Sequence, residues 1–446
     1  MIITINNKLR KNQYIWIYVG LICILYCCRD VVNLGVPEIV FTAVCCIGFF
    51  TLDIGEAFAL MAFTIPLTVP ANEIRIVFLF VLLYKVLKKE NAITFEKTGF
   101  IIVFLMITLE VVNDCIFSKV SFFQMIYSIV EFILILIIPL VWDSIRKFLT
   151  YESLKNAITC FIIGVIVSCL VLMYISIVSK GWTSIIAGDN RFGMGIEYDN
   201  NSSMQTSLNT NTIGNRCAIC ISLLIVLTEK CKFSKIIAIP LFVFFIFIIG
   251  LTKSRSSLIC LCFIVLFYTL FTFIKKKELF KGIVIIAGAI AIIYLLIHLF
   301  PLMFDGFLAR FVNQTDLSNG RLELDAQYLD IWQNNIWCFI FGFGTKSYGA
   351  ITCLSNSPHS MVVDILISWG IVGVLLVVLW TGYLLKRTTK GMNRNHLFLV
   401  ALPVLVVIFS VFDGQYLTVA TNHLILCLIV ISLSIVGVEN RSEYNE

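Results

Sequence analysis

Residues 157–178 read AITCFIIGVIVSCLVLMYISIV, a run with no charged side chain that is long enough, as a helix, to cross the hydrocarbon core of a bilayer. In lipid every backbone polar group must be paired within its own segment. A run of this length therefore implies a helix and not a barrel strand, which alternates apolar and polar residues. Comparable runs extend in both directions from it, near 14–28, 36–51, 55–69, 73–87, 98–115, 121–141, 210–228, 236–251, 256–274, 282–300, 359–385, 396–411 and 417–437. The 446-residue chain is 59% hydrophobic and 13% charged, and its mean hydropathy is +0.97. A soluble globular protein of this length has no interior able to hide that much apolar surface. The expected fold is all-α, a polytopic integral membrane protein of about 12–14 transmembrane helices.

The net charge of +6 is mainly a topology signal. With the N-terminus inside, roughly two thirds of the 33 basic residues fall in cytoplasmic loops and span ends, among them Lys8, Arg10, Lys11, Lys275, Lys276, Lys277, Lys386, Arg387, Lys390 and Arg394. That bias puts both termini in the cytoplasm and gives no support to nucleic-acid binding; contact with anionic lipid is a secondary reading. Residues 1–28 have the basic start and apolar stretch of a signal peptide. The stretch ends in Cys27-Cys28-Arg29-Asp30 with no small-residue cleavage site, so an uncleaved first helix is expected. Most of the 16 cysteines lie inside apolar spans as small hydrophobes, Cys217-x-x-Cys220 included. Cys338 and Cys353 are the pair whose location would permit a disulfide, although spacing alone does not fix connectivity.

Four regions follow: N-terminal transmembrane helices at 1–178, central helices at 179–300 with an outer loop at 179–209, a long outer loop at 301–358, and C-terminal helices at 359–446. A loop as long as the third is usually functional or disordered. Its residues 320–341 hold Leu322, Leu324, Tyr328, Leu329, Ile331 and Trp332 with few breakers, the pattern of an amphipathic helix on the membrane surface. Gly342-Phe343-Gly344 then ends it. No Walker-type phosphate loop is present, which argues against an ATP-driven pump carried on this chain.

Polar residues are scarce, so those near the outer face carry the chemistry. Arg191 and Arg321 lie in the outer loops, Arg255 opens a span in Thr252-Lys253-Ser254-Arg255-Ser256-Ser257, and Arg216 falls inside one. Arginine grips phosphate and pyrophosphate through a planar fork of donors, so several of them at one leaflet suit a lipid-linked pyrophosphate. Interfacial anchoring explains any single one equally well, but less well for Arg216, since an ionisable group within a span is a functional candidate by default. His359 follows Ser355-Asn356-Ser357-Pro358 at a helix start, with Asp364 five residues on. A neutral imidazole there could take a proton from an attacking hydroxyl, or could hydrogen-bond a loop carbonyl. No second ligand stands at metal spacing from it. His298 and His423 lie near the ends of apolar spans, where a structural part fits, and His396 is cytoplasmic by this topology. Asp364 and Glu131 are carboxylates within spans, either proton relays or partners of an arginine. Gly370 and Gly373 suit close helix packing, and Asn211 at a helix start suits an N-cap before Gly214.

Taken together, these residues resemble the O-antigen polymerase/O-antigen ligase superfamily of bacterial surface-polysaccharide enzymes. Ser357-Pro358-His359-Ser360 followed by Asp364 and by Gly370-x-x-Gly373 is similar to that family's His-Asn/Ser-x9-Gly-x-x-Gly helix. Ser318-Asn319-Gly320-Arg321, Trp332 and Gly342-Phe343-Gly344 resemble the loop before it, and Thr252-Lys253-Ser254-Arg255-Ser256 the Ser-Arg motif heading a middle span. Arg191-x-Gly193 and Asn211-x-x-Gly214 resemble the earlier loop and its helix. The likeness covers about the C-terminal three-fifths of the chain. It departs from the Arg-x3-Leu common among ligases at the fourth place after Arg321, where Asp325 stands.

The resemblance implies a GT-C-like, metal-independent glycosyltransferase of the bacterial cytoplasmic (inner) membrane, with no cofactor. It would polymerise undecaprenyl-pyrophosphate-linked repeat units into O-antigen or capsule. His359 would be catalytic, Arg191, Arg255 and Arg321 would bind substrate, and Arg216 would join them. Lipid-linked glycans, membrane lipid and a chain-length regulator are the implied partners. A ligase that moves finished polysaccharide to lipid A-core or another acceptor is the alternative within the superfamily. A flippase or other transporter is the alternative outside it, and that reading leaves the long outer loop unexplained.

Overall fold

The computed structural model describes residues 14–67, 71–90, 96–117, 147–187, 210–230, 233–274, 279–303, 320–345, 347–354, 360–389 and 401–407, with a few isolated positions besides. Among them the regular structure is helical, with no strand. The first helices are α1 (Tyr14–Asp30), α2 (Glu38–Thr51), α3 (Ile54–Thr64), α4 (Ala71–Glu90) and α5 (Lys97–Phe117). Next come α6 (Tyr151–Lys180), α7 (Trp182–Ala187), α8 (Thr210–Lys230), α9 (Lys235–Thr252), α10 (Arg255–Ile274) and α11 (Leu279–Leu299). The last are α12 (Arg321–Asn334), α13 (Ile336–Phe341), α14 (Tyr348–Thr352) and α15 (Met361–Thr389). Seven of these, α5, α6, α8, α9, α10, α11 and α15, contain a stretch long and apolar enough to cross a membrane. The protein is an all-helical, polytopic membrane protein.

The spans expected at 36–51 and 55–69 are helices of 14 and 11 residues. At 1.5 Å per residue α3 is only about 16 Å long, roughly half a hydrocarbon core. A capping box begins it, with Glu56 N–H donating to Asp53 Oδ1 at 2.8 Å and Asp53 N–H returning to Glu56 Oε2 at 3.3 Å. Pro66 stands two residues past its last residue Thr64. Every residue of α3 is buried, as a helix apolar on all sides requires. It runs beside α6, where Gly164 admits the backbone of Phe63; any Cβ at 164 would overlap that carbonyl. The spans expected at 121–141, 396–411 and 417–437 fall wholly or mostly outside the described residues.

One continuous apolar core joins α1 through α10 to α15, and a smaller one lies under the long loop around Tyr328, Cys338, Phe343, Tyr348, Val363 and Ile367. The outward faces are apolar too. On α11 the side chains of Ile283, Val284, Ile290 and Leu295 are all at least half exposed, which suits a helix whose solvent is lipid. The amphipathic helix expected over 320–341 is two helices. Asn335 takes an extended conformation between them and caps α13, its Oδ1 accepting from Cys338 N–H at 3.0 Å. Cys338 and Cys353 are free thiols, the first buried and the second exposed, so the disulfide considered for this pair is not formed.

Candidate functional site

α15 is broken inside the family-like stretch. Gly370 has φ 62° and ψ −160°, a conformation essentially confined to glycine. In an unbroken helix the carbonyls of Ile367 and Ser368 would accept from residues 371 and 372. Here they accept from the long loop instead: Phe343 N–H reaches Ile367 O at 2.9 Å and Gly344 N–H reaches Ser368 O at 2.7 Å. The approach is backbone to backbone on both sides. A Cβ on Gly342 would overlap Ser368, and one on Gly370 would overlap Ile340 and Phe341. The sequence suggested helix packing for Gly370; its actual place is the break and the loop lodged in it.

A polar face of α5 closes around this break. Glu110, Asn113 and Asp114 are spaced to share one side of the helix, and all three are buried. Glu110 accepts the Thr345 amide at 3.1 and 3.2 Å, the Thr345 hydroxyl, and the Trp369 indole N–H at 2.6 Å. Asn113 donates to Phe341 O at 2.7 Å and Ser368 O at 3.4 Å, and its Oδ1 accepts from Trp337 Nε1 at 3.2 Å. Ser347 Oγ donates to Asp114 Oδ1 at 3.0 Å. A carboxylate within a membrane helix costs several kcal/mol unless donors converge on it, and here they do. Sequence reading missed this face because mean hydropathy over 98–115 swamps it. The signal was present as three polar residues at i, i+3 and i+4 in an apolar run.

A second polar region lies where α8 and α10 begin. Asn211, expected as an N-cap, instead lies inside the helix that includes Thr210, and Gly214 is pressed against Ser257. Ser257 Oγ donates to Asn215 Oδ1 at 3.2 Å, so residues adjacent to Arg216 and near Arg255 touch. Arg216 Nη1 donates to Pro66 O at 2.8 Å, just past the end of α3. Arg255 is the first residue of α10. Lys253 forms the α9–α10 corner in a left-handed conformation with φ 50°. It is buried, with Nζ 3.2 Å from Ile185 O and 3.3 Å from Ile186 O near the end of α7.

Arg216 and Arg255 thus stand at neighbouring helix starts, whereas Arg321 opens α12, which packs on α13 and α15. His359 and Arg191 lie outside the described residues, as do Glu131, His396 and His423. Pro358 beside His359 is buried, and Asp364, in the first turn of α15, is fully buried with its amide on Ser360 O at 2.9 Å. Near it burial, together with the Asp364 charge, pushes the Tyr328 phenol above its ordinary value; a hydrogen bond with Thr352 opposes this. His298 is exposed on α11 and stacks on Tyr294 at 6.4 Å, a structural placement.

No curated protein matches the sequence. Residues 240–378 match the O-antigen ligase family. That interval holds the α9–α10 corner with Arg255, the loop from Arg321 to Ser347, and the broken part of α15. Over this segment the match supports the likeness to the O-antigen polymerase/ligase superfamily.

Proposed function

We propose that the protein polymerises undecaprenyl-pyrophosphate-linked repeat units at the outer face of the bacterial cytoplasmic membrane. The acceptor hydroxyl of one repeat attacks the anomeric carbon of another chain. The new C–O bond forms as the bond to pyrophosphate breaks, and undecaprenyl pyrophosphate leaves. His359 takes the hydroxyl proton, while Arg191, Arg255 and Arg321 hold the departing pyrophosphate. Arg216 joins them; of the five N–H donors of a guanidinium, one serves Pro66. A chain-length regulator is a natural partner for such a step. The observation that carries the reading is the family match over 240–378, which spans the arginine corner, the loop and the first half of α15 together.

The matched family is described as O-antigen ligase, and this favours transfer of finished polysaccharide to lipid A-core as the second reading. Asp325, standing where ligases often carry leucine, favours the polymerase. Surface-sugar banding of a His359→Ala strain with normal protein level separates them. The polymerase leaves single repeats attached to the acceptor and no ladder, whereas the ligase leaves nothing attached. A full ladder from that strain would sink both.

A further inference from the structure

We propose that Glu110, with Asn113 and Asp114, is a positioning device for the transfer site, acting on it through the break in α15. The inference rests on the reading of His359 as the base. Residues 361–369 are severed from the rest of α15 at Gly370, so their tilt is set by what occupies the break. The occupant is the loop 342–347, whose amides replace the missing helical donors on Ile367 O and Ser368 O at 2.9 and 2.7 Å. Glu110 bonds both sides of this joint, the loop through the Thr345 amide at 3.1 Å and the helix through Trp369 Nε1 at 2.6 Å. Asn113 likewise spans the two, at 2.7 Å from Phe341 O and 3.4 Å from Ser368 O. Asp114 fastens the far end of the loop at Ser347, 3.0 Å away.

Holding α5 against α15 does not need these groups. Near their other ends Gly99 already meets Tyr383, and apolar side chains of both helices share the main core. What the buried polar face adds is direction. Backbone amides and an indole N–H have fixed geometry, and a carboxylate that accepts from both fixes the loop and the first half of α15 at one relative angle. Ser360 and Pro358, the described neighbours of His359, lead directly into that half. Acid–base catalysis depends on reach: a misplacement of about 1 Å can lower the rate by about 10²-fold. α5 lies outside residues 240–378, so the device is an addition to the family segment made by the N-terminal half of the chain.

The test uses full-length protein in lipid nanodiscs, with lipid-linked repeats extracted from a strain deleted for this gene as donor and acceptor. Glu110→Ala is expected to lower kcat by about tenfold or more, with KM within about threefold. Glu110→Gln keeps one acceptor oxygen and is expected to fall between Glu110→Ala and wild type. Wild-type kcat in folded Glu110→Ala, or a loss matched by an equal loss of folded protein, overturns the proposal. If Glu110→Ala does not fold, Trp369→Phe decides: it removes the indole donor while keeping an aromatic ring, and its kcat is counted per folded molecule because the smaller ring also leaves a cavity at this buried position. Its kcat is expected to drop several-fold, and an unchanged value overturns the proposal. His359→Ala runs alongside: full turnover there overturns the base assignment, while an inactive His359→Ala beside a normal Glu110→Ala overturns the positioning device alone.

Discussion

A guanidinium inside a membrane helix needs a partner, and Arg216 has the carbonyl of Pro66 at 2.8 Å. α3 is only about half as long as an apolar layer is thick, and the Pro66 carbonyl lies just past its end, by the negative end of the helix dipole. Arg216→Leu is expected to remove about 1–3 kcal/mol of stability by stranding that carbonyl, read as a lower melting temperature in detergent. Arg216→Lys keeps the charge and an N–H donor for the Pro66 carbonyl and is expected to retain most of the stability. If Arg216 also grips pyrophosphate, turnover falls in both variants; a Lys variant with normal turnover assigns it to the α3 end alone. This residue was legible in the sequence because a charge stands out in an apolar span. Its partner was not, since nothing in the run 55–69 announces a helix that ends early apart from Pro66 itself. Glu110 and Asp114 were as visible as Arg216 letter by letter. Their meaning lay in donors from positions 345, 347 and 369, and long-range pairing of that kind leaves no local trace.

At the scale of the element, hydropathy located the long spans of α5, α6, α8, α9, α10, α11 and α15 because each must satisfy its backbone alone in lipid. It overstated α2 and α3, where burial by neighbouring helices replaces length as the reason for an apolar sequence. It could not see that α15 is two helices, because Gly370 lowers hydropathy no more than a packing glycine would. The break is directly testable. Gly370→Ala must leave φ 62° and would also press a methyl group into Ile340, at a cost of about 1–3 kcal/mol for the backbone conformation alone. The expected result is that α13 lifts from the joint. Cys338 reports this: it is buried with Sγ 3.9 Å from Ile367 O, and burial pushes its thiol up to about 12, so the native thiol is inert. In a Cys353→Ser background, maleimide labelling of Cys338 is expected to be negligible while Gly370 is intact and to appear in the Gly370→Ala variant. An unlabelled Cys338 with normal turnover in that variant would show that the break is dispensable.

At the scale of the whole molecule, the catalytic reading requires the long loop, the start of α15 and the arginine corner to face away from the cytoplasm, where lipid-linked repeats are joined. The argument for that orientation is the distribution of basic residues, which is statistical along the chain and independent of any one side chain. Cys353 offers a single-site check. It is exposed at the end of α14, within the loop that leads to His359. In a Cys115→Ser background, which removes the other exposed thiol at the loop-side end of α5, a membrane-impermeant maleimide added to intact cells (spheroplasts where an outer membrane is present) is expected to label the protein, and most of that label is expected to be lost when Cys353→Ser is added. The lipid-facing Cys262 is exposed on the surface of α10 but within the apolar layer, where a charged reagent does not reach, and Cys338 is shielded by burial. Labelling at Cys353 that appears only after permeabilisation would invert the topology. The loop would then face the cytoplasm, and a polymerase acting on repeats already carried across the membrane could not use this site, whatever the fate of His359→Ala.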